Sequence, residues 1–217
     1  MTDENVFVIR RFGYEDRRDV RRICCETAFM QDPSSIFFAD DEIFADALTL
    51  YFTDYEPESC LVLEHGGRVA GYLIGTKNIK VANKIFMRNI LFGLLRKALL
   101  RGALVKKKNI IFFFHVLKSI IKLEFRMPDF SKGYPATLHI NIDKDYRAQG
   151  FGSQLVAAYL QYLKTEKVPG VHFATMSDKA MAFFAKQGFS LLFQGRRSYF
   201  KYILHKENPI YIFGMRL

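Results

Sequence analysis

Hydrophobic and polar positions change period several times along this chain, and each change marks an element. Val6 to Arg11 alternates, which predicts a first strand, and Gly13 to Met30 carries Val20, Ile23, Cys24, Thr27 and Ala28 at helical spacing. Asp32-Pro33-Ser34-Ser35 breaks the chain. A second helix is predicted over roughly Asp40 to Tyr55, with Ile43, Phe44, Ala47, Leu48, Tyr51 and Phe52 on one face. Cys60 to Glu64 and Arg68 to Gly75 are apolar runs around Gly66-Gly67, the pattern of a hairpin. Thr137 to Ile142 reads as a strand, and after it Leu155, Val156, Tyr159, Leu160 and Leu163 recur at helical spacing. Pro169-Gly170 separates that helix from an apolar strand, Val171 to Met176. Ser177-Asp178 then caps a helix holding Ala180, Met181, Phe183 and Phe184, which stops at Gly188. Leu191 to Phe193, Tyr199 to Leu204 and Ile210 to Phe213 are predicted as the last strands, with Asn208-Pro209 the turn between two of them.

Between the hairpin and the strand at Thr137 stands an extra segment, 77–134, in which two helical stretches are expected. Ile85, Phe86, Ile90, Leu91, Leu94, Leu95, Ala98 and Leu99 form one apolar stripe, Ile110 to Phe125 forms another, and Lys106-Lys107-Lys108 lies between them. This segment changes the meaning of the charge. The net charge is +10, but Lys77 to Arg126 alone holds thirteen Lys or Arg against the single acid Glu124. A slightly acidic domain therefore carries a basic insertion. With 217 residues, half of them hydrophobic and a quarter charged, the chain suits one globular domain spanning 1–217. Met1 to Asn5 is polar and no apolar run reaches the ~20 residues needed to span a bilayer. Cys24, Cys25 and Cys60 are odd in number and lack metal-site spacing, so reduced thiols, no metal and a cytoplasmic location are expected.

The candidate chemistry lies at Asp145-Tyr146-Arg147-Ala148-Gln149-Gly150-Phe151-Gly152-Ser153, a glycine turn between a strand and a helix. The first N–H groups of a helix have no internal partner and carry the positive end of its dipole, so such a junction attracts anions. Gly150 and Gly152 let those donors close on an oxygen-rich ligand, and Arg147 adds a fork of donors suited to phosphate. The expected ligand is a diphosphate held between Gln149 and Ser153.

Arg147, Gly150 and Gly152 fit the signature of the GNAT superfamily of acyl-CoA-dependent acetyltransferases, and the strand, helix and strand that follow resemble the second half of that domain. The resemblance implies a mixed α/β (α+β) fold, with a central sheet of about seven strands flanked by helices, and acetyl-CoA as cofactor. It implies cofactor contacts from Arg147, Ala148, Gln149, Gly150, Phe151, Gly152 and Ser153, and pairing of the pantetheine arm with the backbone of Ile140 and Ile142. Ser177, where the family frequently has asparagine, is a further contact. Phe184 stands where the family often has a tyrosine that protonates the departing thiolate, so this chain departs from the pattern there; Tyr199 and Tyr202 are candidate substitutes. In the family the two helices after the first strand wall the acceptor pocket, which makes Phe37, Phe38, Tyr51 and Phe52 candidate lining or plain core. Pro135 to Asn141 and Val168 to His172 are similar to the acetyltransferase-like modules of some β-N-acetylglucosaminidases.

The implied reaction passes an acetyl group directly to a primary amine of a small molecule, amino sugar or peptide. His139, whose side chain shares a strand face with Asn141, is the candidate base, and His172 a second. The rival expectation is a catalytically weak CoA-binding module. For the insertion, three readings stay open: a helical hairpin with a solvated basic face, a lid over the acceptor site, and peripheral contact of 77–126 with an anionic membrane. No nucleic-acid motif accompanies the charge. Monomer and homodimer are equally compatible with the sequence.

Overall fold

The computed structural model describes residues 6–217; the polar start, Met1 to Asn5, lies outside them. β1 (Phe7–Arg11), β2 (Leu61–His65), β3 (Arg68–Thr76) and β4 (Thr137–Ile142) pair in that order as one antiparallel sheet. β5 (Gly170–Thr175), β6 (Ser190–Arg197) and β7 (Asn208–Arg216) form a second, with β7 in the middle. A single parallel bridge, Ala136 to Val171, joins the two sheets. The seven strands and mixed α/β class agree with the reading of the sequence, as does the β2–β3 hairpin, where Gly66 and Gly67 both take positive φ.

Strand alternation explains how helices cover both faces. Leu61, Leu63 and Leu73 point to one side, where α6 (Phe151–Thr165) supplies Leu155, Val156, Tyr159 and Leu163. Val62, Tyr72 and Ile74 point to the other, against Val20, Ile23 and Cys24 of α1 (Arg17–Glu26), with α2 (Asp41–Tyr55) beside it. Gly75 sets how closely α6 sits: a Cβ there would lie 2.2 Å from the Tyr159 hydroxyl, which donates to the Thr137 carbonyl at 2.9 Å.

Several expected boundaries move. The first helix covers only Arg17–Glu26, because Tyr14–Asp16 forms a 3-10 turn and Met30 and Gln31 adopt positive φ. Tyr199 to Leu204 is not a strand: the chain coils into the short α8 (Lys201–Leu204), which lets Phe200 enter an aromatic cluster with Phe29 and Phe37. Asn208-Pro209 is the start of β7, not a turn. β5 reaches only as far as Tyr211 on β7, so at Pro209 the strand has a neighbour on one side alone, where a missing N–H is tolerated.

The insertion forms α3 (Ile79–Ile85), one π turn (Phe86–Ile90), α4 (Leu91–Leu100) and α5 (Lys107–Ile121). Asn78 caps α3, whose start precedes the expected one, by accepting from the N–H groups of Lys80 and Val81. Docking combines apolar contacts, Ala82, Ile90 and Leu94 on Tyr51 and Ala98, Ala103 and Phe112 on Phe37 and Phe38, with ion pairs. Asp40, its side chain 1% exposed, pairs with Arg101 at 2.9 Å and Lys106 at 3.3 Å, and Asp46 pairs with Lys97 at 2.6 Å and with Arg21. Burial raises both carboxyl pKa values, but the hydrogen bonds outweigh it and hold them below the ordinary range. Only Ala82, Ile90, Leu94 and Ala98 of the expected first stripe and its approach are buried; Leu95 and Leu99 face outward.

Candidate functional site

The site begins where the two sheets part. Ala136 donates to the Gly170 carbonyl at 3.1 Å and accepts from the His172 N–H at 2.9 Å, and the ladder stops after this bridge. Backbone groups on a strand alternate sides, so Leu138, Ile140 and Ile142 turn theirs toward the gap, while Asp143 donates to Ala70 of β3. The gap is a cavity of about 900 Å³ between β4, β5, the start of α6 and α7 (Asp178–Lys186). Among the described residues its charged lining consists of Arg147 and Lys179, and no carboxylate lines it.

At one end the backbone 147–153 builds an anion cradle. Ala148 and Gly150 have φ of 61° and 84°, so the chain turns left-handed twice before the helix begins. The N–H groups of Ala148, Gln149, Gly150, Phe151 and Gly152 have no acceptor among the described residues; only from Ser153 and Gln154 do the N–H groups turn back, onto the Gly150 carbonyl. Five unpaired donors at the positive end of a 15-residue helix fit a multiply charged anion. At Gly152 a Cβ would meet the Phe183 ring of α7 at 3.4 Å, an ordinary contact. Arg147 lies across this end: its Nε donates to the Ile142 carbonyl at 2.9 Å and one terminal nitrogen to Gln31 at 3.3 Å. The Ile142 carbonyl, expected to be open to a ligand, is thus taken by Arg147.

The opposite face of β4 presents polar atoms. The Asn141 amide nitrogen lies 2.8 Å from the Tyr72 hydroxyl and 3.1 Å from His139 Nε2, which ties the imidazole to a buried phenol beneath it. Burial pushes the Tyr72 pKa up and holds that of His139 down at about 4. The imidazole is therefore neutral at physiological pH, and as a base it is far weaker than its ordinary value of ~6.5 suggested. His172 is not in the cavity; its Nδ1 is bound to the Tyr134 carbonyl.

Other candidates move away from the site. Tyr199 is half-buried against the aromatic cluster, its hydroxyl donates to the Met176 sulfur at 3.1 Å, and desolvation pushes its pKa up to about 12. Met176 lines the cavity and separates Tyr199 from it. Tyr202 likewise stacks on His115 outside the cavity. Phe184 packs on Phe173 with centroids 4.1 Å apart as part of the wall, and Ser177 lines the cavity while capping α7 through the Ala180 N–H. Phe37, Phe38, Tyr51 and Phe52 do not reach the cavity; Phe37 and Phe38 are core, and Tyr51 donates to Glu56.

Sequence reasoning missed Thr27, Ala28, Met30 and Gln31 after α1, and Lys179 and Phe183 of α7, all of which line or cross the gap. The first three had been absorbed into a longer helix. Lys179 was legible as a cation in the first turn of a helix, a place that disfavours it unless an anion is near.

Residues 117–189, from the last turns of α5 through α7, match the model of the acetyltransferase (GNAT) family. No curated protein matches the sequence. Among solved structures, SsHAT is 24% identical with a TM-score of 0.72, covering 97% of this chain and 98% of that one. The Drosophila melanogaster polyamine N-acetyltransferase, which forms N-acetylagmatine, is 13% identical with a TM-score of 0.58, covering 98% and 100%. Salmonella typhimurium yncA, solved with its cofactor acetyl-CoA, is 12% identical with a TM-score of 0.59, covering 98% and 95%. At these identities the likeness to solved structures is one of fold.

Proposed function

We propose that this chain, a member of the GNAT superfamily, is an acetyl-CoA-dependent N-acyltransferase acting on a primary amine. The observation that carries the reading is that, among the described residues, five unpartnered N–H groups at the head of α6 meet a cavity that is cationic, free of carboxylates and bordered by the unpaired edge of β4. These residues fit acetyl-CoA: the N–H groups of Ala148 to Gly152 and Arg147 would hold its diphosphate, Ile140 and Ser177 its pantetheine arm. When bound, that group supplies an activated acyl thioester.

The chain's own part is mostly positioning, which can supply roughly 7 to 11 kcal/mol of a bimolecular barrier. No protein thiol takes part as a nucleophile, since Cys24, Cys25 and Cys60 lie outside the cavity and burial raises their pKa values to about 11, 12 and 12. Transfer is therefore direct to the acceptor.

Energetics decide what His139 does. An amine of pKa ~10.4 loses its proton to water at pH 7.4 at a cost of about 4 kcal/mol. Transfer to an imidazole of pKa about 4 costs about 9 kcal/mol by the same scale. Water is the cheaper sink, so His139 and Asn141 orient the neutral amine and do not store its proton. Phe184 and the withdrawn Tyr199 supply no phenolic acid to the thiolate; a thiol pKa near 8.5 makes that tolerable.

Calorimetric titration of acetyl-CoA, followed by a thiol-release screen over small amines, amino sugars and peptides, tests this. Binding with turnover supports the proposal. Binding without turnover favours a CoA-binding module, the reading to which Phe184 lends weight, and no binding removes both.

A further inference from the structure

α5 turns Phe112 inward onto Phe37 and Phe200, yet it also buries polar side chains and leaves much of its apolar surface exposed. Asn109 and Ser119 on its inner side are fully buried, whereas Phe114, Leu117 and Ile121 on its outer side are 61%, 54% and 73% exposed. Inside, each polar group is satisfied: Asn109 accepts from the Ala39 N–H at 2.7 Å and donates to Ala103 at 2.8 Å, and Ser119 meets Glu124 and Ser198. Outside, Ile110, Phe114, Leu117 and Ile121 recur at helical spacing with nothing upon them. Val105 in the preceding turn and Phe92, Leu99 and Leu100 of α4 are exposed as well.

Charge decides what could cover this face. Lys107 and Lys118 on α5, Arg126 beyond it, and Arg88 and Arg96 beside or on α4 make no ion pair among the described residues. Glu124, the one acid between Lys77 and Arg126, is turned inward to accept from Ser198 N–H at 2.7 Å and from the Ser119 and Ser198 hydroxyls, and Asp129 beyond it pairs with Lys80 of α3. The outer face thus combines large apolar side chains with lysines and arginines and offers no carboxylate. A second copy of this chain would set two such positive segments against each other. A layer of anionic headgroups over acyl chains matches both properties, since lysine stems can lie along the apolar surface while their ammonium groups reach the phosphates.

We infer that the outer face of α5, extended by the turn before it, is a docking surface for an anionic lipid bilayer, with the helix lying in the interface. α5 is 15 residues, about 22 Å long, and among the described residues no helix is long and apolar enough to cross a membrane. The inference does not depend on the acyl-transfer reading.

The test is sedimentation of the full chain with phosphatidylcholine vesicles, with and without phosphatidylserine. The protein pellets with the anionic vesicles and stays in solution with the neutral ones. Lys107→Gln and Lys118→Gln each weaken binding about fivefold, and Phe114→Ser with Leu117→Ser abolishes it while circular dichroism is unchanged. Because the chain has no tryptophan, Phe114→Trp gives a single reporter whose emission shifts to the blue on anionic vesicles. No pelleting and no shift would overturn the inference. So would a concentration-dependent dimer in ultracentrifugation that Phe114→Ser dissolves, which would assign the face to a second copy.

Discussion

Replacing His139 with glutamine should make the protein less sensitive to acid. In the folded state burial keeps the imidazole pKa at about 4, whereas in the unfolded chain it returns to ~6.5. Between these values the unfolded state binds the proton that the native state refuses, so stability falls as pH drops from about 6.5 to about 4. The full effect is about 3 kcal/mol, and at pH 4.5 about 2.5 kcal/mol of it is already expressed. His139→Gln cannot titrate and still offers an oxygen to the Asn141 amide, which otherwise lies against Nε2. Urea unfolding of both proteins at pH 7 and pH 4.5 isolates the imidazole, because every other titrating group is shared. The native protein should lose about 2.5 kcal/mol more than the variant over that interval. Parallel losses would mean that water reaches the imidazole freely and that its pKa is near normal, which would also restore it as a proton acceptor in catalysis.

Four further outcomes follow from the same geometry. Arg147→Glu should weaken acetyl-CoA binding at least about tenfold in calorimetry, the order of one charge-assisted contact reversed in sign; unchanged affinity would move the phosphates elsewhere. Gly150→Ala should cost about 1 to 2 kcal/mol in thermal or urea unfolding, since its φ of 84° strains any side chain although the space around it is open. Tyr199→Phe should leave kcat within about twofold, because only a hydroxyl on the Met176 sulfur is lost; a hundredfold fall would return Tyr199 to the chemistry. Asp46→Ala should destabilise by about 2 kcal/mol and expose 77–134 to protease, since Arg21 and Lys97 lose their shared partly buried carboxylate.

The anion cradle and the covered sheet faces follow from local rules. Gly150 and Gly152 between a strand and a helix, alternation along Thr137 to Ile142, and the Gly-Gly hairpin each carry their conformation in a few neighbouring residues, so the sequence alone was enough to place β2, β3, β4 and α6 and to expect free N–H groups at the head of α6. It was also enough to put His139 and Asn141 on one face, because a strand's period of two is independent of what packs on it.

What the sequence could not contain is the result of distant residues meeting. Tyr199 to Leu204 is apolar whether coiled or extended, and Phe29 and Phe37, far away in the chain, decide that it coils to bury Phe200. The imidazole pKa depends on what β3 and the parted sheets place around it, not on spacing along β4. The stripes of α4 and α5 were legible as periodicity, yet period does not say which face turns inward. Asn109 and Ser119 are held inside by Ala39 and Ser198, while Asp40 and Asp46 bind the insertion through its cations. Hydrogen bonds and ion pairs seat the insertion together with apolar contacts from Ile90, Leu94, Ala98 and Phe112, and a large part of its hydrophobic surface is left outside.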